Sequence, residues 1–258
     1  STQYDGDDPF VDDILDIFDF DPLDFQVDSW QLINDFHQQR HDTGQPHAAI
    51  LSAPTGFGKT EAFLGPLYQQ LRNGEQDTTV IVYPRRALLQ DQLGRILKHV
   101  HSMRPAGEQA PLSVSVYMGG MPYSVDEVRD DYFESENGRE TFQLAHCWCG
   151  DENTTNAFTY DGSSSSYTIR CEADDTHNFT NNELILSRQR IKNGETPDIL
   201  LTTLESLELF ALKPNYDIID DVDTFVLDEV HLYTRLRGAH AAKIINNIND
   251  ITDQPLLW

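Results

Sequence analysis

Two short runs carry the residue types that hold the phosphates of a nucleotide: Ala53-Pro54-Thr55-Gly56-Phe57-Gly58-Lys59-Thr60 and, far downstream, Asp228-Glu229-Val230-His231. Gly56 and Gly58 let the backbone turn tightly, so that successive N–H groups and a helix N-terminus face the phosphates. Lys59 then pairs with the β and γ phosphates, and the Thr60 hydroxyl binds magnesium. Asp228 holds the same ion, usually through water, and Glu229 polarises the water that attacks the γ phosphate. Ala53 stands where the general pattern has its first glycine. A Gly-Lys-Thr alone can be a surface turn, and an acidic pair alone can be a solvated one. Their pairing favours the nucleotide site.

This chemistry needs a strand, a loop and a helix in that order. Ala48-Ala49-Ile50-Leu51 is a short apolar run, which places a strand at 47–52, and a helical pattern begins near Thr60. The apolar run Thr224-Phe225-Val226-Leu227 ends directly in Asp228, and open α/β sheets bind ligands at the carboxyl ends of their strands. Strands are expected at 78–83, 112–117, 197–201 and 223–227. Leu89, Leu93, Ile96, Leu97 and Val100 mark the inner face of one helix, and Ile244, Ile245, Ile248 and Ile251 that of another. Alternating strand and helix predicts an α/β domain with a mostly parallel sheet covered on both sides.

The expected organisation is an acidic lead at 1–24, an ATP-binding domain at 25–258, and an insertion at about 122–195. In the lead, Val11, Ile14, Leu15 and Phe18 have helical spacing, which predicts a small helix packed on the domain. A partner-binding helix is the sharper alternative. Ser29 has the position of an N-cap for the helix that follows. No signal peptide, membrane-spanning run or internal repeat is present, and the chain is read as cytoplasmic.

Charge adds an apparent contradiction. The chain has 43 Asp+Glu against 18 Lys+Arg, a net charge of -25 over 258 residues, which is the opposite of the basic balance that nucleic-acid binding favours. The lysines are Lys59, Lys98, Lys192, Lys213 and Lys243. An evenly acidic, lysine-poor surface suits a halophile, where salt screens the self-repulsion. A single acidic face docking a basic partner is the alternative, but no one block of the chain carries the charge.

With these residues the chain resembles a superfamily 2 helicase of the DEAD/DEAH type. Ala53 to Thr60 match that family's motif I, Tyr83-Pro84-Arg85-Arg86-Ala87-Leu88 looks like motif Ia, Thr202-Thr203-Leu204-Glu205-Ser206-Leu207 looks like motif Ib, and Asp228 to His231 match motif II. The resemblance implies a RecA-like fold, ATP and Mg2+ as cofactors, and nucleic acid as partner, with DNA favoured. It also implies that Arg85, Arg86, Thr202 and Thr203 contact the strand and that His231 couples ATP state to it. By residue type alone, Arg85 and Arg86 are equally an exposed pair at a helix start. Gln31 sits where relatives place an adenine-reading glutamine, or else it is a polar residue on an exposed helix face. Phe57 replaces a small residue and Leu204 a proline of the family pattern, and neither is a phosphate or metal ligand.

The run Asp228 to Tyr233 with Arg237-Gly238-Ala239-His240 is similar to the Lhr and MrfA type of DNA-repair helicase. The wording of the loop also looks like some CRISPR-associated helicases. An ATP-gated scaffold that binds a protein partner is the reading from another class. Nothing resembles motifs IV to VI, so the chain is expected to be the first motor domain of a larger protein. It would depend on a second RecA-like domain for its arginine finger, and would be nearly inactive alone.

The expected insertion is a polar segment holding all three cysteines: His146-Cys147-Trp148-Cys149, then Cys171 and His177. Three thiols with His146 or His177 make four ligands for Zn2+. Such a staple would stabilise a small segment lacking a core of its own. Free reduced thiols fit as well, and an iron–sulfur cluster, by analogy with helicases that carry one, normally asks for a fourth cysteine.

Overall fold

The structure, a computed structural model, describes residues 8–258 apart from 19, 55, 76, 106–107, 137–138, 151–155, 164–165, 213–218 and 253. Its centre is a parallel sheet. Strands β1 (Thr78–Tyr83), β2 (Val114–Tyr117), β9 (Leu184–Ile185), β10 (Ile199–Thr203) and β11 (Val222–Leu227) lie in the order β11-β1-β10-β2-β9, each neighbouring pair parallel.

Strand β1 shows why the sheet is covered on both sides. Its sequence Thr-Thr-Val-Ile-Val-Tyr is rich in β-branched residues, whose stiff side chains suit a pleated surface. Successive side chains leave on opposite faces. Ile81 and Tyr83 therefore enter one apolar cluster with Ile199, Leu201, Val114 and Val116, while Val80 and Val82 enter another with Leu200, Leu204 and Phe225.

Helices α2 (Asp24–Thr43), α3 (Lys59–Arg72) and α4 (Arg86–Ser102) contribute to the first cluster. Leu89, Leu93, Ile96, Leu97 and Val100 of α4 are all fully buried. Helices α7 (Leu204–Leu212) and α8 (Leu236–Ile251) contribute to the second. In α8, Ile244 and Ile248 are buried, but Ile251 at the last turn is half exposed.

Helix α1 (Pro9–Leu15) is built on the same first core. Asp8 caps it by accepting from the Phe10 N–H at 3.1 Å, and its Val11 and Ile14 are completely buried with Trp30 and Leu64. Ser29 does not cap α2. That helix starts at Asp24, and the Ser29 hydroxyl donates to the Phe25 carbonyl one turn back at 2.6 Å. The N-terminal donor is instead satisfied by Gln26, whose Oε1 accepts from the Leu23 N–H at 2.9 Å.

Residues 47–52 differ from the expected strand. His47 N–H donates to the Leu256 carbonyl and Ala49 N–H to that of Trp258, at 3.0 and 2.9 Å, and Trp258 N–H returns to His47. Leu257 bridges in parallel to both His47 and Thr224. The segment therefore joins the sheet through 256–258, with pairing too short to form a regular strand, and Ile50 is 86% exposed. Buried Arg40 ties this edge together, reaching the carbonyls of Asp223 and Pro255 and the Asp223 carboxylate at 3.4 Å.

The segment expected to be a coreless polar insertion has its own sheets. After α5 (Val128–Tyr132), β3 (Phe133–Glu136) and β4 (Arg139–Phe142) form a hairpin. Then β5 (His146–Cys147), β6 (Asn156–Gly162), β7 (Tyr167–Cys171) and β8 (Asn178–Thr180) form an antiparallel sheet. Phe142, Phe158, Ile169 and Phe179 are buried in the same cluster as α4, so the insertion extends the main core. The chain is back in the parallel sheet at β9, before the short helix α6 (Arg188–Lys192).

Candidate nucleotide site

The loop runs from the strand-like edge into α3. Gly56 and Gly58 have φ of 84° and 68°, the left-handed region that favours glycine. A Cβ on Gly58 would stand 2.3 Å from the Gln26 amide nitrogen. That close approach is used, because Gln26 Nε2 donates to the Gly58 carbonyl at 3.2 Å. The first intrahelical bond of α3 is Ala62 N–H to Gly58 at 3.0 Å. The N–H groups of Lys59, Thr60 and Glu61 thus begin a 14-residue helix without intrahelical acceptors, an arrangement whose free amides and helix dipole favour an anion.

Opposite stands the end of β11. Asp228 N–H still donates to Val82 of β1 at 3.1 Å, and its Oδ1 accepts from the Glu229 N–H at 2.8 Å. Glu229 has φ 50° and ψ 43°, an uncommon conformation for a side-chain-bearing residue, of the kind stored at functional sites. Its carboxylate pairs with His231 Nδ1 at 3.0 Å. Burial pushes the Asp228 carboxyl above the usual range, the Glu229 charge adds to that, and Lys59, His231 and the Glu229 amide oppose it. Burial costs such a carboxylate its hydration, and a divalent cation would restore the balance.

Lys59, Asp228, Glu229 and His231 line one cavity of about 730 Å3, shared with Ser52, Ala53 and Trp258. A second cavity, about 840 Å3, opens on the other side of the loop between Phe20, Gln26, Gly56, Phe57, Arg95 and Trp148. Thr55 lies outside the described residues. Pro54 accepts from the Phe57 N–H at 3.4 Å within the loop, and Phe57 is half exposed.

The glutamine singled out by sequence, Gln31, donates to Asp8 Oδ2 at 3.0 Å on the surface of α2. The one that reaches the loop, Gln26, was missed. Its only sequence signal is its place at the third position of a helix whose start is not evident without the fold.

Arg85 and Arg86 are exposed at the start of α4, directly after β1. Thr203 stands at the equivalent end of β10, where its hydroxyl accepts from the Ser206 N–H at 3.4 Å and opens α7. Thr202 faces inward. It is fully buried and donates to the Tyr117 carbonyl at 2.7 Å, which occupies its hydroxyl inside the sheet. Because β1, β10 and β11 are parallel, Arg85, Arg86, Thr203 and Asp228 all stand at one edge, the carboxyl edge of the strands.

The cysteines converge elsewhere. Cys147 Sγ lies 3.3 Å from both Cys149 Sγ and His177 Nδ1, and Cys149 lies 3.4 Å from Cys171. None is in a disulfide. Burial pushes the Cys147 thiol up. At Cys149 burial also pushes the thiol up, but contacts with Asn156, Cys147, His177 and Cys171 together outweigh it and bring the thiol down to about 7. His146 is exposed and lines the second cavity instead.

A glycine-rich loop before a helix, with an acidic pair at the end of a parallel strand, is the arrangement of a RecA-like domain. The family model "DEAD/DEAH box helicase" matches residues 31–128, a range that holds the loop and the Tyr83 to Leu88 run but not Asp228. Among solved structures, helicase Lhr of Mycobacterium smegmatis bound to ssDNA and AMP-PNP is 22% identical with a TM-score of 0.53, over 96% of this chain and 24% of that one. The DUF1998 helicase MrfA bound to DNA and AMPPNP is 14% identical with a TM-score of 0.51, over 97% and 25%. The DEAD-box helicase Mss116 bound to ssRNA and UDP-BeF is 17% identical with a TM-score of 0.54, over 97% and 38%. No curated protein sequence matches the chain. The chain shares the RecA-like α/β fold of these helicases, and it spans well under half the length of these neighbours.

Proposed function

We propose that this domain is the ATP-binding motor of an ATP-dependent nucleic-acid helicase or translocase, with DNA the favoured track. The observation that carries the reading is that Lys59, at the start of α3, and Asp228 and Glu229, at the end of β11, face one cavity. Lys59 and the first amides of α3 would hold the phosphates, and Asp228 with the Thr60 hydroxyl would hold magnesium, which supplies charge neutralisation. Glu229 would orient the attacking water and take up its proton as the γ phosphoryl leaves ADP. His231 shares the Glu229 carboxylate, which links water activation to the surface beyond it.

The base is assigned to the side of the loop lined by Phe20 and Gln26, in preference to Gln31. Arg85, Arg86 and Thr203 are the strand-contacting candidates. Phosphate contacts of this kind position a strand without reading its bases, so the preference for DNA rests on the neighbours bound to it. A second RecA-like domain of the same parent would supply the arginine finger, and this domain alone would hydrolyse ATP slowly. The net charge of -25 supports a halophilic source. Among the described residues no helix is long and apolar enough to cross a membrane.

The test is ATP hydrolysis by the full-length parent in molar KCl, with and without single-stranded DNA or RNA, beside a Lys59→Ala control. Strong stimulation by one nucleic acid, lost in the control, is expected. Hydrolysis that ignores both would point to an ATP-gated scaffold.

A further inference from the structure

We propose that Cys147, Cys149, Cys171 and His177 form a Cys3His zinc site that staples the inserted sheet to the end of α4. The four ligand atoms all lie within 4.8 Å of one another, although they come from β5, the residue pair after it, the end of β7 and the approach to β8. A tetrahedral ion with Zn–S of about 2.3 Å holds its sulfurs about 3.8 Å apart. The observed separations of 3.3 and 3.4 Å need an opening of only a few tenths of an ångström to admit one. A disulfide would need about 2.05 Å. An iron–sulfur cluster distributes its thiolates over several irons, which demands wider spacing and normally a fourth cysteine.

The surroundings are those of metal-bound thiolates. Asn156 Nδ2 donates to Cys149 Sγ at 3.3 Å and the Ala173 N–H to Cys171 Sγ at 3.4 Å. Donors of this kind stabilise thiolate charge without competing for the ion. His177 presents Nδ1 to the sulfurs while Nε2 lies 3.7 Å from an Asp174 carboxylate. That carboxylate is itself held by the Thr176 amide and hydroxyl at 2.9 and 2.6 Å. A carboxylate behind the far nitrogen is the usual way to orient a ligating imidazole. His146 precedes Cys147 on the same strand, so its side chain leaves the opposite face and cannot join the set.

The site also explains how the insertion is attached. Thr176, beside His177, accepts at its carbonyl from His101 of α4 at 3.0 Å. The His177 ring packs against His101 and Trp148, with centroids 4.9 and 4.7 Å away. Soft thiolates select zinc over magnesium or calcium, so this ion is distinct from the one expected beside Asp228.

The protein purified under reducing conditions without chelator should contain one zinc per chain by mass spectrometry of the metal. Cobalt exchanged into it should show the strong visible bands of a tetrahedral thiolate site. Cys171→Ser and His177→Ala should weaken metal binding at least about tenfold, whereas His146→Ala should not. Because a cysteine variant could fail to fold, the cobalt spectrum of the unaltered protein decides the proposal by itself. Absence of both zinc and a cobalt spectrum, or iron with labile sulfide in place of zinc, overturns it. Loss of metal in His146→Ala but not in His177→Ala overturns the ligand assignment.

Discussion

Two candidate sites lie along α4, and they are built in different ways. Beside residues 90–95 of α4 lies the glycine-rich loop, where the candidate groups are mostly backbone: amides at the head of α3 and glycines with positive φ, with one lysine and one carboxylate pair. At the far end of α4 the binding groups are all side chains, brought together by an antiparallel sheet. A backbone site is written into a short stretch of chain. A side-chain site is written in residues 30 positions apart, and only their strands make them neighbours.

The difference predicts that the sites fail separately. Lys59→Ala should lower ATP hydrolysis in the parent by on the order of a hundredfold or more while leaving metal content unchanged. Glu229→Gln should match that loss in hydrolysis yet keep nucleotide binding, measured by equilibrium titration. If Lys59→Ala also released the metal, the two sites would be one cooperative unit and the comparison would break.

Arg40→Met tests the frame of the loop half. Arg40 is fully buried and is the cation facing the Asp223 carboxylate. Removing one partner of a buried pair should cost about 3–5 kcal/mol, read from urea denaturation. Cys171→Ser should cost the other half somewhat less, roughly 2–3 kcal/mol, within the range for loss of a structural ion. It should leave nucleotide affinity unchanged. Limited proteolysis should then cut first within 139–181.

The smallest expected effect is on pH dependence. Burial, with nearby cations adding to it, holds His37 and His99 down to about 4 from 6.5. Both stay neutral when folded, so the unfolded chain takes up protons first. Their contribution is fully present above pH 6.5 and is lost as pH falls toward 4. Asp228, whose carboxyl burial raises, acts the other way: its contribution is present below 3.8 and is lost as pH rises through its raised value. The melting temperature should fall by a few °C, on the order expected for about 1 kcal/mol, between pH 7 and pH 6. His99→Gln should flatten that slope, and an unchanged slope would remove this histidine as the cause.

The sequence by itself determined the glycine-rich loop ahead of α3, the acidic pair at a strand end, strands β1, β10 and β11, and the buried face of α4, because each rests on local periodicity or on backbone freedom within a few residues. Only the tertiary structure decided that residues 47–51 enter the sheet through 256–258, that Gln26 and not Gln31 braces the loop, and that Thr202 spends its hydroxyl inside the sheet. It also decided that His177 and not His146 completes the cysteine cluster. In each case the physical reason is the same. Which way a side chain points depends on partners far along the chain, and residue type and local spacing carry no record of them.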